Sequence, residues 1–261
     1  MRTITDLIEF EDSSQWDGFY RIAECRRALS PSGLPDIDYA LNPYGGCEHG
    51  CVYCYAPEVL HTDWKDWRVV KVRSNIPDRL VKELNCLEGT IGIGTVTDPY
   101  QYAEKRFRLT LTCLEILKVR DFRVHIHTKS DLILRDIEMI SSMRGEVGIT
   151  VTTIEERHSK ITEPGAPLPE KRLDALRQLT EAGIDTYALV GPILNHLEGK
   201  EKEFVEAIAS TGVKRMSLDS LNPRPLLTER LNRMGIHGSE RSKESIRNHA
   251  KRVGITVADV F

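Results

Sequence analysis

From residue 38 onward the chain alternates two patterns. Short runs rich in β-branched and apolar residues give way to longer stretches with apolar positions every three or four residues. The short runs at 39–42, 90–95, 123–128, 146–152, 185–190 and 213–218 read as strands. The stretches 78–87, 107–119, 131–143, 169–182 and 201–210 read as amphipathic helices, and 239–253 as a last one. Pro77 suits the entry to the first helix, and Gly183 sits where a helix commonly stops. Leu111, Leu114, Ile116 and Leu117 keep helical spacing within 107–119. Ile246, Ala250 and Val253 do so at i, i+4 and i+7 near the end. Six strands separated by helices imply βαβ units with right-handed crossovers and a parallel sheet. The expected fold is α/β, a partial (β/α)6 barrel with parallel strands. An open doubly wound sheet satisfies the same pattern. In either fold, ligands sit at the C-terminal ends of the strands. The expected organisation is an N-terminal extension at 1–36, a core at 37–220, and a basic helical extension at 221–261 packed on the core.

Composition changes this picture little. The 261 residues suffice for one large barrel or two modest domains. No apolar run is long enough to span a bilayer, and the N-terminus carries no apolar signal region. The expectation is a cytoplasmic protein with no membrane partner. The net charge of −3 does not mark a nucleic-acid binder. Between 221 and 252, however, eight Lys/Arg stand against three Glu. Arg224, Arg230, Arg233, Arg241, Arg247, Lys251 and Arg252 keep nucleic acid among the conceivable substrates. No helix-turn-helix, zinc knuckle or stacking-aromatic motif accompanies them, and a solvated helix face is the plainer reading.

The cysteines change the picture more. Six in a chain of this length do not suggest a disulfide scaffold, and clustered cysteines in a reducing compartment point to metal. Cys47, Cys51 and Cys54 follow the first strand with spacing C-x3-C-x2-C. Three thiolates on one loop can hold three irons of a 4Fe-4S cluster and leave the fourth iron open to a small molecule. The rival is a zinc site completed by His49 or a distant ligand, which would make the chain a zinc-stabilised nucleic-acid-binding module. Zinc sites usually pair two knuckles, and Cys25, Cys86 and Cys113 stand alone. A third reading is an iron–sulfur protein that only transfers electrons. Cys86 and Cys113 fall on apolar helical faces and read as core residues. Cys25 is either a buried residue of the extension or a redox-active thiol.

Further motifs fall at strand ends. The second strand finishes in Gly94-Thr95-Val96-Thr97-Asp98-Pro99-Tyr100-Gln101 and the third in His127-Thr128-Lys129-Ser130. The fourth finishes in Ile149-Thr150-Val151-Thr152-Thr153, followed by Glu163-Pro164-Gly165-Ala166-Pro167. The fifth ends in Val190-Gly191-Pro192-Ile193. Together with Asn42-Pro43-Tyr44 and the cysteine loop, this series resembles the radical SAM family of spore-photoproduct-lyase-like proteins, often labelled DNA repair photolyase. The resemblance runs from about residue 38 to 195. It implies a radical SAM enzyme that reductively cleaves S-adenosyl-L-methionine (SAM) to a 5′-deoxyadenosyl radical and abstracts hydrogen from a substrate. Repair or modification of a nucleic acid by the same chemistry is the narrower alternative. The resemblance assigns the cluster to Cys47, Cys51 and Cys54. It assigns the SAM amino group to Thr97 and Asp98, its carboxylate to Lys129, and its ribose or carboxylate to Thr150 or Thr152. An external one-electron reductant of ferredoxin or flavodoxin type is implied.

Tyr53 and Tyr55 match lyase tyrosines of a radical relay; here they either relay hydrogen atoms or pack beside the cofactors. Strand alternation places His125 and His127 on the face of Lys129, toward the lumen, and His127 is the candidate catalytic residue of the two. Thr150 and Thr152 likewise share a face. One departure limits the resemblance. The lyase carries a cysteine hydrogen donor where Thr95 stands here, and a hydroxyl is a poor hydrogen-atom donor beside a thiol. Thymine-dimer repair is therefore not expected.

Overall fold

The computed structural model describes residues 20–260. Residues 1–19 of the expected N-terminal extension and the Cys86 side chain lie outside the described residues. The strands in chain order are Tyr20–Ala23 (β1), Leu29–Pro31 (β2), Tyr39–Leu41 (β3), Tyr44–Gly45 (β4), Val70–Arg73 (β5) and Thr90–Ile93 (β6). Arg123–Thr128 (β7), Gly145–Thr150 (β8), Thr186–Val190 (β9), Arg215–Leu218 (β10) and Thr256–Asp259 (β11) follow. The helices are Ala56–Val59 (α1), Trp64–Trp67 (α2), Ile76–Glu83 (α3), Ala103–Phe107 (α4), Leu109–Val119 (α5) and Ile137–Ser141 (α6). Glu156–Thr162 (α7), Pro169–Glu181 (α8), Glu201–Ala209 (α9), Pro225–Arg233 (α10) and Glu240–Arg252 (α11) complete them.

Among the described residues, eight strands pair in the order β11-β10-β9-β8-β7-β6-β3-β2. Every neighbouring pair from β3 to β11 is parallel, and only β2 runs antiparallel, against β3. The order decides between the two expected closures. Each parallel step moves one place in the same direction, so right-handed crossovers leave all their helices on one face. A doubly wound sheet reverses direction at a switch point, and this sheet does not. The result is a partial barrel with helices outside and a lumen inside. All six expected strands are present, and β11 adds an unforeseen seventh parallel strand.

Burial alternates as the lumen requires. Along β7, Val124, Ile126 and Thr128 are buried beneath the helices. Val124 and Ile126 belong to one core with Ile91, Ile93, Val147, Ile149 and Val190 from the strands and Leu114, Leu117, Leu176, Leu179 and Phe204 from the helices. Burying each such side chain contributes roughly 1.5–3 kcal/mol. The expected helix at 131–143 divides into a 3₁₀ segment, Asp131–Asp136, and α6. Ser130 starts that segment by accepting the Leu132 N–H at 3.2 Å.

A second sheet of order β1-β5-β4 stands apart from the barrel sheet. It places β4 between β3 and the cysteines, so the loop does not leave the barrel strand directly. No described helix is long and apolar enough to cross a membrane.

Candidate active site

The cysteine loop is pinned from several elements. Cys47 N–H donates to the Trp67 carbonyl at the end of α2 (3.0 Å), and Val52 N–H to that of Thr162 at the end of α7 (2.8 Å). Gln101 reads both sides of the first turn, accepting from Glu48 N–H (2.9 Å) and donating to the Gly46 carbonyl (3.2 Å). Gly165 N–H donates to the His49 carbonyl at 2.9 Å. A Cβ on Gly165 would lie 2.1 Å from the Glu48 carbonyl oxygen, so only glycine lets the two loops meet. From outside, Arg230 of α10 donates to the Val52 and Cys54 carbonyls at 2.7 and 3.0 Å.

The three thiols sit in dry surroundings. Burial raises each above its ordinary range, Cys51 to about 12. Opposing this, the backbone N–H groups of Asp98 and His49 act on the Cys47 sulfur, and that of Ala56 on the Cys54 sulfur. Such N–H···S contacts favour thiolate and are the usual surroundings of an iron–sulfur cluster. No group of three His, Cys, Asp or Glu among the described residues is arranged to hold a single metal ion. The zinc reading therefore lacks its tetrahedron, whereas a cluster spreads three thiolates over three irons. His49 is turned away to Asp98, 3.4 Å from its carboxylate.

Asp98 is the hub of the strand-end loops. Its carboxylate accepts from Tyr100 N–H (2.9 Å), the Thr128 hydroxyl (2.6 Å) and Lys129 N–H (2.7 Å). Thr97 donates its hydroxyl to the Tyr44 carbonyl at 3.0 Å. Asn42, noted in the sequence only as the start of Asn42-Pro43-Tyr44, accepts from Val96 and Thr97 N–H and donates to the Thr95 hydroxyl. Asp98 is thus already well hydrogen-bonded, and Thr97 retains only its acceptor capacity.

Lys129 has spare capacity. Its ammonium lies 5.6 Å from the centre of the Tyr53 ring and makes no hydrogen bond or ion pair among the described residues. Burial lowers its pKa, but Cys51, Glu163 and Asp98 outweigh that and leave it raised, so the side chain is cationic and free to take an anion. Thr152 is fully buried and its hydroxyl has no partner, while Thr150 is 5% exposed. An ammonium beside the cysteine loop with no hydrogen bond or ion pair, and a buried strand-end hydroxyl with no partner, fit a bound cluster and a carboxylate-bearing cofactor.

The two tyrosines diverge. Tyr53 is buried and donates its hydroxyl to Glu163, which pairs with Arg172 at 2.6 Å, both side chains fully buried. Burial raises the Glu163 carboxyl, and Arg172 with Lys129 more than reverses this. Tyr55 is 37% exposed, and its hydroxyl is pushed up by burial and by Asp219 beyond the end of β10.

Lower in the lumen, His125 and His127 both face the Tyr187 hydroxyl, His125 at 2.8 Å. Glu146 lies 3.3 Å from His125 Nε2 and can only accept, so that nitrogen carries the proton. The Tyr187 hydroxyl accepts from His125 and donates to the bare His127 Nε2. A Cβ on Gly148 would lie 2.5 Å from the Tyr187 ring, so glycine makes room for it. Below this layer, a cavity of about 540 Å³ opens between Asp36, Asp38, Arg123, Glu146, Asp185 and Arg215.

The basic segment is less free than its sequence suggests. Arg230 points into the cysteine loop, Arg247 pairs with Asp259, and Arg233 with Glu229. Cys113 is fully buried. Cys25 donates its thiol to Asn75 Oδ1 at 3.3 Å, and burial raises it, the opposite of a reactive thiolate.

A family model described as the radical SAM superfamily matches residues 41–198. An uncharacterized protein of Methanocaldococcus jannaschii, MJ0683, is 37% identical over 179 residues, covering 67% of this chain and 67% of that protein. An uncharacterized protein of Mycobacterium tuberculosis, Rv2578c, is 30% identical over 241 residues, covering 84% and 70%. Among solved structures, spore photoproduct lyase complexed with dinucleoside spore photoproduct superposes with a TM-score of 0.72 at 15% identity, over 93% of this chain and 82% of that one. Streptococcus suis SuiB bound to S-adenosylmethionine superposes at 0.56 with 13% identity, over 84% and 49%. These two likenesses are of fold.

Proposed function

The chain belongs to the radical SAM superfamily and is an enzyme of that type, and from this premise we propose that Cys47, Cys51 and Cys54 would hold a 4Fe-4S cluster and that Lys129 would hold the SAM carboxylate. The observation carrying this reading is the half-buried Lys129 ammonium, which makes no hydrogen bond or ion pair among the described residues and stands over the Tyr53 ring of the cysteine loop. Bound there, the cluster and SAM would supply one-electron reductive chemistry that yields a carbon radical able to take hydrogen from a substrate C–H bond.

The chain's own residues bind, orient and exclude water. Lys129 takes the SAM carboxylate as a charge-assisted pair. Thr97 and Thr152 offer hydroxyl oxygens, and Thr150 lines the same face. Asp98 positions rather than ligates, because it fixes the backbone of Lys129 and Tyr100. Glu163 and Arg172 hold the Tyr53 hydroxyl in place beside the loop. Neutral His127 accepts a hydrogen bond at Nε2 from the Tyr187 hydroxyl. The electron comes from a one-electron donor of ferredoxin or flavodoxin type, and such a cluster is kept best in the reducing cytoplasm.

Anaerobic reconstitution tests the reading. The expected product is a brown protein with about four irons per chain. SAM should perturb its EPR signal, and strong reductant should release 5′-deoxyadenosine. Cys51→Ala should lose both behaviours. One colourless zinc per chain, or a cluster whose EPR signal ignores SAM, would overturn the proposal.

A further inference from the structure

The basic C-terminal segment delivers one guanidinium to the cysteine loop. Arg230 bridges two carbonyls two residues apart, those of Val52 and Cys54, from Nε and Nη2. Its guanidinium carbon lies 3.8 Å from the centre of the Trp64 ring, so the group is held on its face as well as at its edge. The helix carrying it is fixed independently. Glu58 of α1 accepts from the Leu226 and Leu227 N–H groups at the start of α10, at 3.4 and 3.2 Å. Leu227 and Leu231 are buried against Cys51 and Tyr53. Arg230 is therefore aimed by a rigid element.

The clamped turn spans Tyr53 and ends on a cluster cysteine. A planar fork can satisfy two carbonyls at once, which the single ammonium of lysine cannot do with the same geometry. The fork also brings a fixed positive charge next to a thiolate-bearing residue. Adding an electron to a cluster makes it more negative, and a cation in a half-buried setting stabilises that state.

We propose that Arg230 is a positioning residue that holds the 52–54 turn and raises the reduction potential of the cluster. It acts through Val52 and Cys54 and touches neither SAM nor substrate. The proposal rests on the reading that Cys47, Cys51 and Cys54 hold a cluster.

The test is a redox titration of the reconstituted full chain, after iron analysis. Arg230→Met keeps an apolar stem over Trp64 and removes the charge and both donors. Arg230→Lys keeps the charge and loses the fork, and Arg230→Gln keeps a donor without the charge. At the potential where half of the wild-type cluster is reduced, the ratio of reduced to oxidised cluster in Arg230→Met should fall about tenfold, or about 59 mV for a one-electron couple. Arg230→Gln should move the same way, and Arg230→Lys should stay within about twofold of wild type while losing iron faster. A wild-type ratio in Arg230→Met or Arg230→Gln at full iron content would overturn the proposal and leave a clamp of purely structural effect. If Arg230→Met does not retain iron, Arg230→Gln against Arg230→Lys decides on charge. Wild-type protein that takes up no cluster would instead sink the cluster reading itself.

Discussion

His127 illustrates how surroundings choose a side chain's charge. Burial first, then the neighbouring charges of His125 and Lys129, bring its pKa from 6.5 to about 3. Between those values the unfolded chain binds a proton that the folded chain refuses. Stability from this residue is complete above about pH 6.5 and is lost as pH falls toward about 3. Replacing it with Asn removes that dependence while keeping a polar group for Tyr187. Between about pH 6.5 and 4.5, the unfolding free energy in urea should fall by about 2–3 kcal/mol less in His127→Asn than in wild type. Parallel falls in the two proteins would contradict the assignment. The facing of His125 and His127 was legible from strand alternation alone, and so was the cysteine spacing. Tyr187 lay in an expected strand, but the glycine opposite it that admits its ring is a feature of register, not of local pattern. Arg172 did leave a signal. It falls on the buried stripe of α8 with Ala175, Leu176 and Leu179, a charge where an apolar residue belongs.

At the level of elements, α10 does the most for the site. Its apolar face seals Cys51 and Tyr53, and its charged face presents Arg230. Leu231 is 1% exposed at the centre of that contact. Leu231→Ala should cost about 2–5 kcal/mol of stability by urea unfolding. It should also speed the bleaching of cluster absorbance in air, since the cavity opens a path to the sulfurs. An unchanged bleaching rate would show that the helix does not protect the loop. The six core strands were legible because each carries a run of apolar residues between turn signals. The sheet of β1, β4 and β5 was not. Its strands have two to four residues, and β1 pairs with β5 across 50 positions of sequence, such as Tyr20 with Val70. β11 escaped notice because it is mostly exposed at the sheet edge. The start of α10 was readable from Pro225 with Leu227 and Leu231 at i and i+4, but the surrounding charges dominate that stretch.

For the whole molecule, the sequential strand order brings the segments after β3, β6, β7 and β8 to one end. Alternation of strands and helices announced a barrel or an open sheet; only the order of pairing separates them, and pairing order has no local signature. The gathered loops couple ligand binding to folding. Cluster loading should raise the thermal midpoint of the chain, and SAM should raise it again. At a hundredfold excess over its dissociation constant, SAM adds about 2.7 kcal/mol. Lys129→Ala should abolish most of the second increment and spare the first, as anaerobic thermal unfolding would show; loss of both, or of neither, contradicts the role of Lys129. The rings of His125, His127 and Tyr187, with centroids 4.7–6.0 Å apart, stand between this end and the cavity below. They form one packed layer of ring edges on the lumen side of β7 and β9. With these rings packed at mid-strand and charged residues lining the cavity beneath, a substrate is expected to reach the gathered loops from their own end.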